Sequence, residues 1–414
     1  MRVLATCLPG HGHFNPMLAL AKELDRAGHE VAFATAADYC THVERTGFRA
    51  FPAGMSLPEQ LARAREAYPA EDAMVAMERF EHFVPRMLAG VAAPARAADL
   101  VGVVEAWQPD VLVHDETELA GPAVAAAAGI PWADQSVGIL RPMAMFRRAA
   151  ETLSPLCHRL GVDVGEHAGL FRYLYLDVAP PSLQSPEIAG IDVAHPVQNA
   201  IVDPGSEGDR LPDWVADLGE RAVVYVSLGT VFNVGARDTF AAVLEGLAGE
   251  PVDLVLTIGH GNDPADFGPQ PPNVHIERFI PQSLLLGHCD AVVNQGGTAI
   301  LAILAHGLPL LVLPQGANQF HNAAACVAAG VGRALLPAEV EPEAVRGHVR
   351  ALLEDPDLRA SARRVADELA AMPGPAAGVG LVERLAAERR PLVAAAGARA
   401  GGGVPSGSDA PAPS

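Results

Sequence analysis

The chain has 414 residues, half of them hydrophobic, with 29 basic against 49 acidic side chains and a formal charge of −20. That length suits two domains with sizeable cores, and that acidity argues against a surface tracking the phosphates of DNA or RNA. Cys7, Cys40, Cys157, Cys289 and Cys326 lie far apart, without metal-type spacing, as reduced thiols of a cytoplasmic protein do. "MRVLAT" is too short an apolar run for a signal peptide, and the Ala-rich 123–130 is too short to span a bilayer. Lys22 is the only lysine and no G-x-x-x-x-G-K-[ST] occurs, which excludes a P-loop and makes Schiff-base chemistry a poor reading.

In chain order, "RVLATC" (2–7) reads as a buried strand, followed by a loop over 8–15 and a helix from Pro16 to about Ala27. Gly28 ends that helix, and "HEVAFAT" is the next strand. Residues 55–105 read as amphipathic helix and 142–175 as irregular helix. Between them "PDVLVHD" (109–115) and "GIPWADQS" (129–136) end strands at polar tips. Residues 179–187 and 195–214, rich in Pro, Gly and acids, make the best linker. A second series opens at "AVVYVSLGT" (222–230) and again alternates strands with helices, closing with helices at 342–353 and 357–371. From about Arg390 the chain is low in complexity.

The loop "PGHGHFNP" (9–16) stands where open α/β sheets bind ligands. It is a poor dinucleotide fingerprint, because Gly10 and Gly12 are followed by Asn15 and the second strand ends without an acid. A zinc pair of His11 and His13 lacks a third ligand at recognisable spacing. His114 and Asp115 end another strand, so their tips can approach the same crevice, as a base with an orienting carboxylate would or as ordinary capping groups would.

"GHGHFNPMLALAKELDRAGHEVAFAT", "VVYVSLGTVFN", "RFIPQSLLLGHCDAVV" and "GLPLLVLPQGANQFHNAAACVAAGVG" occur in an order that resembles family-1 glycosyltransferases. The likeness is greatest to bacterial enzymes that attach sugars to polyketides and other natural products, and it runs from residue 2 to about 385. It implies the α/β GT-B fold: two Rossmann-like doubly wound domains facing each other across a cleft. The acceptor-binding domain would span 1–205, the nucleotide-sugar domain 215–388, and a disordered tail 389–414. The resemblance places the family's general base on His13 and its orienting acid on Asp115, with His11 left to loop structure. His13 would take a proton from the acceptor hydroxyl in a single inverting displacement.

On the donor side the resemblance implies phosphate contacts from Ser227, Gly229, Thr230, Gly296, Gly297 and Thr298, the last three at the start of a helix whose dipole faces the diphosphate. Ile280 and Gln282 fall where the family reads the pyrimidine. No metal and no cofactor is expected beyond a UDP- or dTDP-sugar as co-substrate. Two departures stand out. The family's diphosphate-binding histidine is Asn294, followed by Gln295, and its sugar-binding aspartate is Asn318, with Gln319 kept. An amide forgoes charge assistance of about 1–2 kcal/mol. Restoring histidine at 294 is expected to tighten nucleoside-diphosphate binding, and Asn318 is expected to tolerate a deoxysugar. Met55, Met74, Met77, Phe80, Phe83, Met143, Met145 and Phe146 offer an apolar, adaptable lining for a polyketide or macrolide-like acceptor, although core packing accounts for about half of them. The expected partners are thus a nucleotide sugar and a hydrophobic small molecule, with no nucleic acid and no membrane span; a homodimer is left open. The competing readings are a non-catalytic homologue that assists a transferase, and a nucleotide-sugar epimerase of the same fold.

Overall fold

Five residues, Arg2–Thr6, form β1, whose Val3, Leu4, Ala5 and Thr6 are all buried. The helix that follows, α1, runs His11–Arg26, starting five residues earlier than the sequence suggests. The amides of His13 and Phe14 both bond the Gly10 carbonyl, at 3.1 and 3.0 Å, so the first turn closes before Pro16. Pro16 removes one N–H from the second turn, and the buried Phe14, Met17 and Leu18 around it hold the helix to the sheet. His13 is therefore a first-turn helical residue, fixed by the helix backbone.

The computed structural model describes residues 1–199, 210–230, 233 and 235–394. After α1 come β2 (Glu30–Thr35), α2 (Ala37–Arg45), β3 (Arg49–Pro52), α3 (Leu57–Ala67), α4 (Pro69–Asp72) and α5 (Ala76–Arg86). A π-helical turn, Met87–Ala92, then leads into α6 (Ala93–Trp107). The lobe continues with β4 (Val111–Asp115), α7 (Ala120–Ala128), β5 (Trp132–Gln135), α8 (Met143–Leu160), β6 (Tyr175–Asp177) and β7 (Ala194–Pro196). These strands form one parallel sheet in the order β3-β2-β1-β4-β5-β6-β7. The second lobe comprises β8 (Ala222–Ser227), α9 (Arg237–Leu247), β9 (Val252–Thr257), β10 (Val274–Glu277), α10 (Gln282–Leu285), β11 (Ala291–Asn294), α11 (Ile300–Ala305), β12 (Leu310–Val312), α12 (Gln319–Ala328), β13 (Gly332–Ala334), α13 (Pro342–Glu354) and α14 (Pro356–Ala371). Its sheet is also parallel, ordered β10-β9-β8-β11-β12-β13. In both sheets the strand order reverses beside the first strand, and the crevice at that switch point, at the carboxyl ends of the strands, is where such sheets take ligands.

Two features differ from the sequence reading. The last helix, α15 (Pro375–Glu388), leaves the second lobe and packs on α1. Its Val379, Val382 and Leu385 join Leu18, Leu20 and Leu24 in one apolar cluster. Residues 389–394 are likewise seated on the first lobe: the Leu392 amide donates to the Tyr173 carbonyl (2.8 Å) and the Ala394 amide to the Asp192 carbonyl (2.9 Å). The tail expected from 389 thus has an ordered beginning; the rest of that tail, from 395, and the domain limit at 205 lie outside the described residues. The second difference is the continuous helical run Met77–Trp107, which holds an 18-residue stretch with a mean hydropathy of 1.5 and by length and composition alone could cross a bilayer. The apolar part is one stretch of the run, and its Leu88, Leu100 and Val104, with Phe83 before them, are spent on the core of the first lobe.

Leu385 is fully buried between α15 and the first lobe. Leu385→Ala is expected to lower stability by about 2–5 kcal/mol, read as the shift of the urea midpoint.

Candidate active site

Parallel register decides which side chains share a face. His114, Asp134 and Tyr175 are cross-strand neighbours on β4, β5 and β6, while Asp115 and Gln135, one residue on, face the side covered by α1. Asp115 has no exposed surface. Its Oδ2 accepts the Leu8 N–H (2.8 Å), and its Oδ1 accepts the Thr117 N–H (2.8 Å) and the Thr117 hydroxyl. His13 Nδ1 stands 3.3 Å from the same Oδ1. Burial, the largest influence, pushes the Asp115 pKa up; His13, Thr117 and the Leu8 amide outweigh it and hold the carboxyl below its usual range. Facing an ionised carboxylate, Nδ1 must carry the proton, which leaves Nε2 as the basic nitrogen. His13 is 28% exposed, and Nε2 has no hydrogen-bond partner among the described residues.

Across the cleft, β11 ends at Asn294, which is also buried. Its Oδ1 accepts the Gly296 N–H (2.7 Å) and its Nδ2 donates to the Ser227 carbonyl (3.3 Å). Both ends of the amide are thus used to tie β11 to β8 and to shape the turn at Gly296. Gly296, at φ 85, occupies backbone space that favours glycine. The helix expected at 296 begins only at Ile300; Gly296, Gly297 and Thr298 form the turn before it, and six residues make α11 too short for a strong end dipole. That turn meets α1 directly: a Cβ placed on Gly12 would lie 3.4 Å from Thr298 Oγ1. Ser227 is buried, Gly229 half-buried and Thr230 exposed at the end of β8.

Gln319 Oε1 accepts the amides of Gln315 (2.7 Å) and Gly316 (3.0 Å), closing its own loop, while Asn318 beside it is half-buried and does not cap α12. The Ile280 side chain is packed in the core, at 2% exposure. The ring that stands out beside Gln282 is its neighbour Phe279, 52% exposed and stacked loosely on His260 (5.9 Å, 21°). The sequence reading missed Phe279, although it directly precedes Ile280. It also missed Asn322, whose Nδ2 donates to the Gly296 carbonyl (2.8 Å) and which sits one turn beyond Gln319. Among the described residues no group of three or more His, Cys, Asp or Glu could hold a metal ion.

Residues 22–229 match the N-terminal domain, and residues 241–385 the C-terminal domain, of the family described as erythromycin biosynthesis protein CIII-like. The chain belongs to this family. It is a glycosyltransferase of the antibiotic-biosynthesis type. It is 33% identical to the L-demethylnoviosyl transferase of Streptomyces niveus, over 95% of this chain and 100% of that one. It is 34% identical to the elloramycin glycosyltransferase of Streptomyces olivaceus, over 91% and 95%. Among solved structures, the spinosyn rhamnosyltransferase SpnG complexed with thymidine diphosphate superposes with a TM-score of 0.76 at 27% identity, covering 92% of this chain and 100% of that one. SnogD from Streptomyces nogalater gives 0.73 at 28%, covering 93% and 99%. The two sheets are those of the GT-B fold of such enzymes.

In this CIII-like enzyme the expected acceptor lining is mostly core. Phe80, Phe83 and Phe146 are at most 3% exposed and, with Met145, hold α5, α6 and α8 together. Met55 is 9% exposed, and Met74, Met77 and Met143 are half-buried, so only the flexible methionines keep exposed surface. On the face of the sheet away from His13, the buried Glu116 pairs with Arg141 and accepts the Tyr175 hydroxyl (3.1 Å). His321 of α12 lies against the Leu140 backbone, so the donor lobe touches this layer. Burial pushes both Asp134 and Asp177 up to about 7.

Two outcomes follow from this geometry. The bonds to the Gly296 amide and the Ser227 carbonyl both leave the amide end of Asn294, whereas an imidazole carries its donor and acceptor on separate ring nitrogens, so Asn294→His is not expected to keep both. It is expected to lose about 1–3 kcal/mol of stability and to weaken thymidine diphosphate binding in calorimetry, the reverse of the sequence expectation. A carboxyl raised on folding keeps a proton that the unfolded chain has lost between about pH 4 and the folded value near 7. Stability should therefore fall as pH rises through that window and level off above it. Asp134→Asn should flatten that slope, measured by urea midpoints at a series of pH values.

Proposed function

We propose that the enzyme moves a sugar, a deoxysugar by preference, from a UDP- or dTDP-sugar to a hydroxyl of a hydrophobic natural-product aglycone, with inversion. The single observation that carries this reading is the His13–Asp115 contact of 3.3 Å in the cleft, with Nε2 unpaired. Nε2 takes the acceptor proton as the oxygen attacks the anomeric carbon from the face opposite the nucleotide. Asp115 fixes the ring tautomer and offsets the charge that develops on the imidazole. Such a transfer contributes roughly 10²–10⁴-fold in rate. The turn Gly296–Thr298 lies against the first turn of α1 next to His13, and the exposed Phe279 ring offers a stacking surface for a pyrimidine. Thymidine diphosphate in the relative SpnG supports a nucleoside-diphosphate donor. The uncharged Asn318 and the deoxysugar names among relatives, such as the 2-deoxy-L-fucose transferase of Streptomyces galilaeus, support the sugar class. Half-buried methionines on the first lobe suit an apolar acceptor.

His13→Ala is expected to lower turnover at least about 100-fold while thymidine diphosphate still binds. The assay is product formation with UDP- and dTDP-sugars against an aglycone panel, beside nucleotide calorimetry. Turnover at the parental rate would remove His13 from the role of base.

A further inference from the structure

The dyad has a third member in contact with both partners. Thr117 Oγ1 is 3.1 Å from His13 Nδ1, closer than the 3.3 Å to Asp115, and its hydroxyl donates to Asp115 Oδ1. The imidazole N–H is thus shared between a hydroxyl oxygen and a carboxylate oxygen, and the hydroxyl proton closes a three-membered ring of bonds. Thr117 is 5% exposed, and its backbone N–H also points to Asp115 Oδ1 (2.8 Å). Its β-branched side chain has little rotameric freedom to leave this arrangement.

The neighbouring side chains explain why it stays there. Along 115–118, Asp115 and Thr117 turn to α1, while Glu116 and Glu118 turn away to buried arginines. Glu116 meets Arg141; Glu118 lies 3.8 Å from Arg96 Nε and accepts the Thr6 hydroxyl (2.6 Å) and the Ala120 and Gly121 amides (2.9 and 3.0 Å). The segment is anchored on its far side, which leaves the Thr117 hydroxyl rigid against the imidazole.

We propose that Thr117 is a positioning residue for His13: by accepting from Nδ1 and donating to Asp115 it fixes the plane of the ring, and with it the direction of Nε2. This rests on the reading of His13 as base. Kinetics of Thr117→Val, Thr117→Ser, His13→Ala and the His13→Ala/Thr117→Val pair test it, on the sugar donor and panel aglycone that the parent turns over best. All four variants keep the residue-117 backbone N–H. Thr117→Val is expected to lower kcat roughly 10–100-fold with both KM values nearly unchanged, because a misdirected base costs rate and not affinity. Thr117→Ser restores most of the loss. In the His13→Ala background, Thr117→Val costs nothing further, since there is no ring to aim. Parental kcat in Thr117→Val overturns the proposal, as does an equal loss in both backgrounds, which would mark a general effect on the fold. Thr117→Ala replaces the valine variant if that one fails to bind thymidine diphosphate, with the same two outcomes decisive. Parental turnover in His13→Ala alone overturns the base reading instead, so the two failures are told apart.

Discussion

A carboxylate sealed from water must find its donors inside the protein, and Asp115 draws the active site together by that need. Its donors come from the end of β1 (Leu8), the turn after β4 (Thr117) and the first turn of α1 (His13). Each arrives from a separate piece of chain, and the charge is stable only when all are in place. The same demand that would penalise an unpaired buried acid therefore registers two strands and a helix against each other. The site's geometry is a by-product of satisfying one buried ion.

The donor lobe solves a different problem, that of bending backbone sharply next to a cleft. Its amides, Asn294, Gln319 and Asn322, spend hydrogen bonds on loop carbonyls and N–H groups. Amides suit this work, because one short side chain end both donates and accepts, which an imidazolium or an ionised carboxylate cannot do. The departure at 294 then reads as a polar scaffold for the Gly296 turn, as Gln319 is for the Gln315–Gln319 turn.

Much of this was legible beforehand. Alternating apolar strands and helices with polar strand tips gave two parallel sheets, and the resemblance in the "GHGHFNP" and "VLVHD" stretches put His13 and Asp115 in one place. What escaped was of three kinds. Helix starts depend on which carbonyl closes the first turn, and Pro16 masked the bonds to Gly10. Whether Phe83 or Phe146 lines a pocket or fills a core depends on how α5, α6 and α8 pack, which periodicity does not encode. And the two bonds of Asn294 depend on backbone atoms brought near by β8 and by the Gly296 turn.

The return of α15 to the first lobe carries a practical corollary. The chain leaves the first lobe after β7 to build the second from β8, and returns to the first after Pro373, whose carbonyl takes the Gln198 amide (2.6 Å). A chimera made by a single crossover would hand one parent's α1 to the other parent's closing helix, placing Leu20 against a foreign residue at the position of Gly378, where a Cβ would come within 2.9 Å of its methyl. Swapping donor specificity between such enzymes calls for two junctions, with the final helix travelling alongside the acceptor lobe it seals.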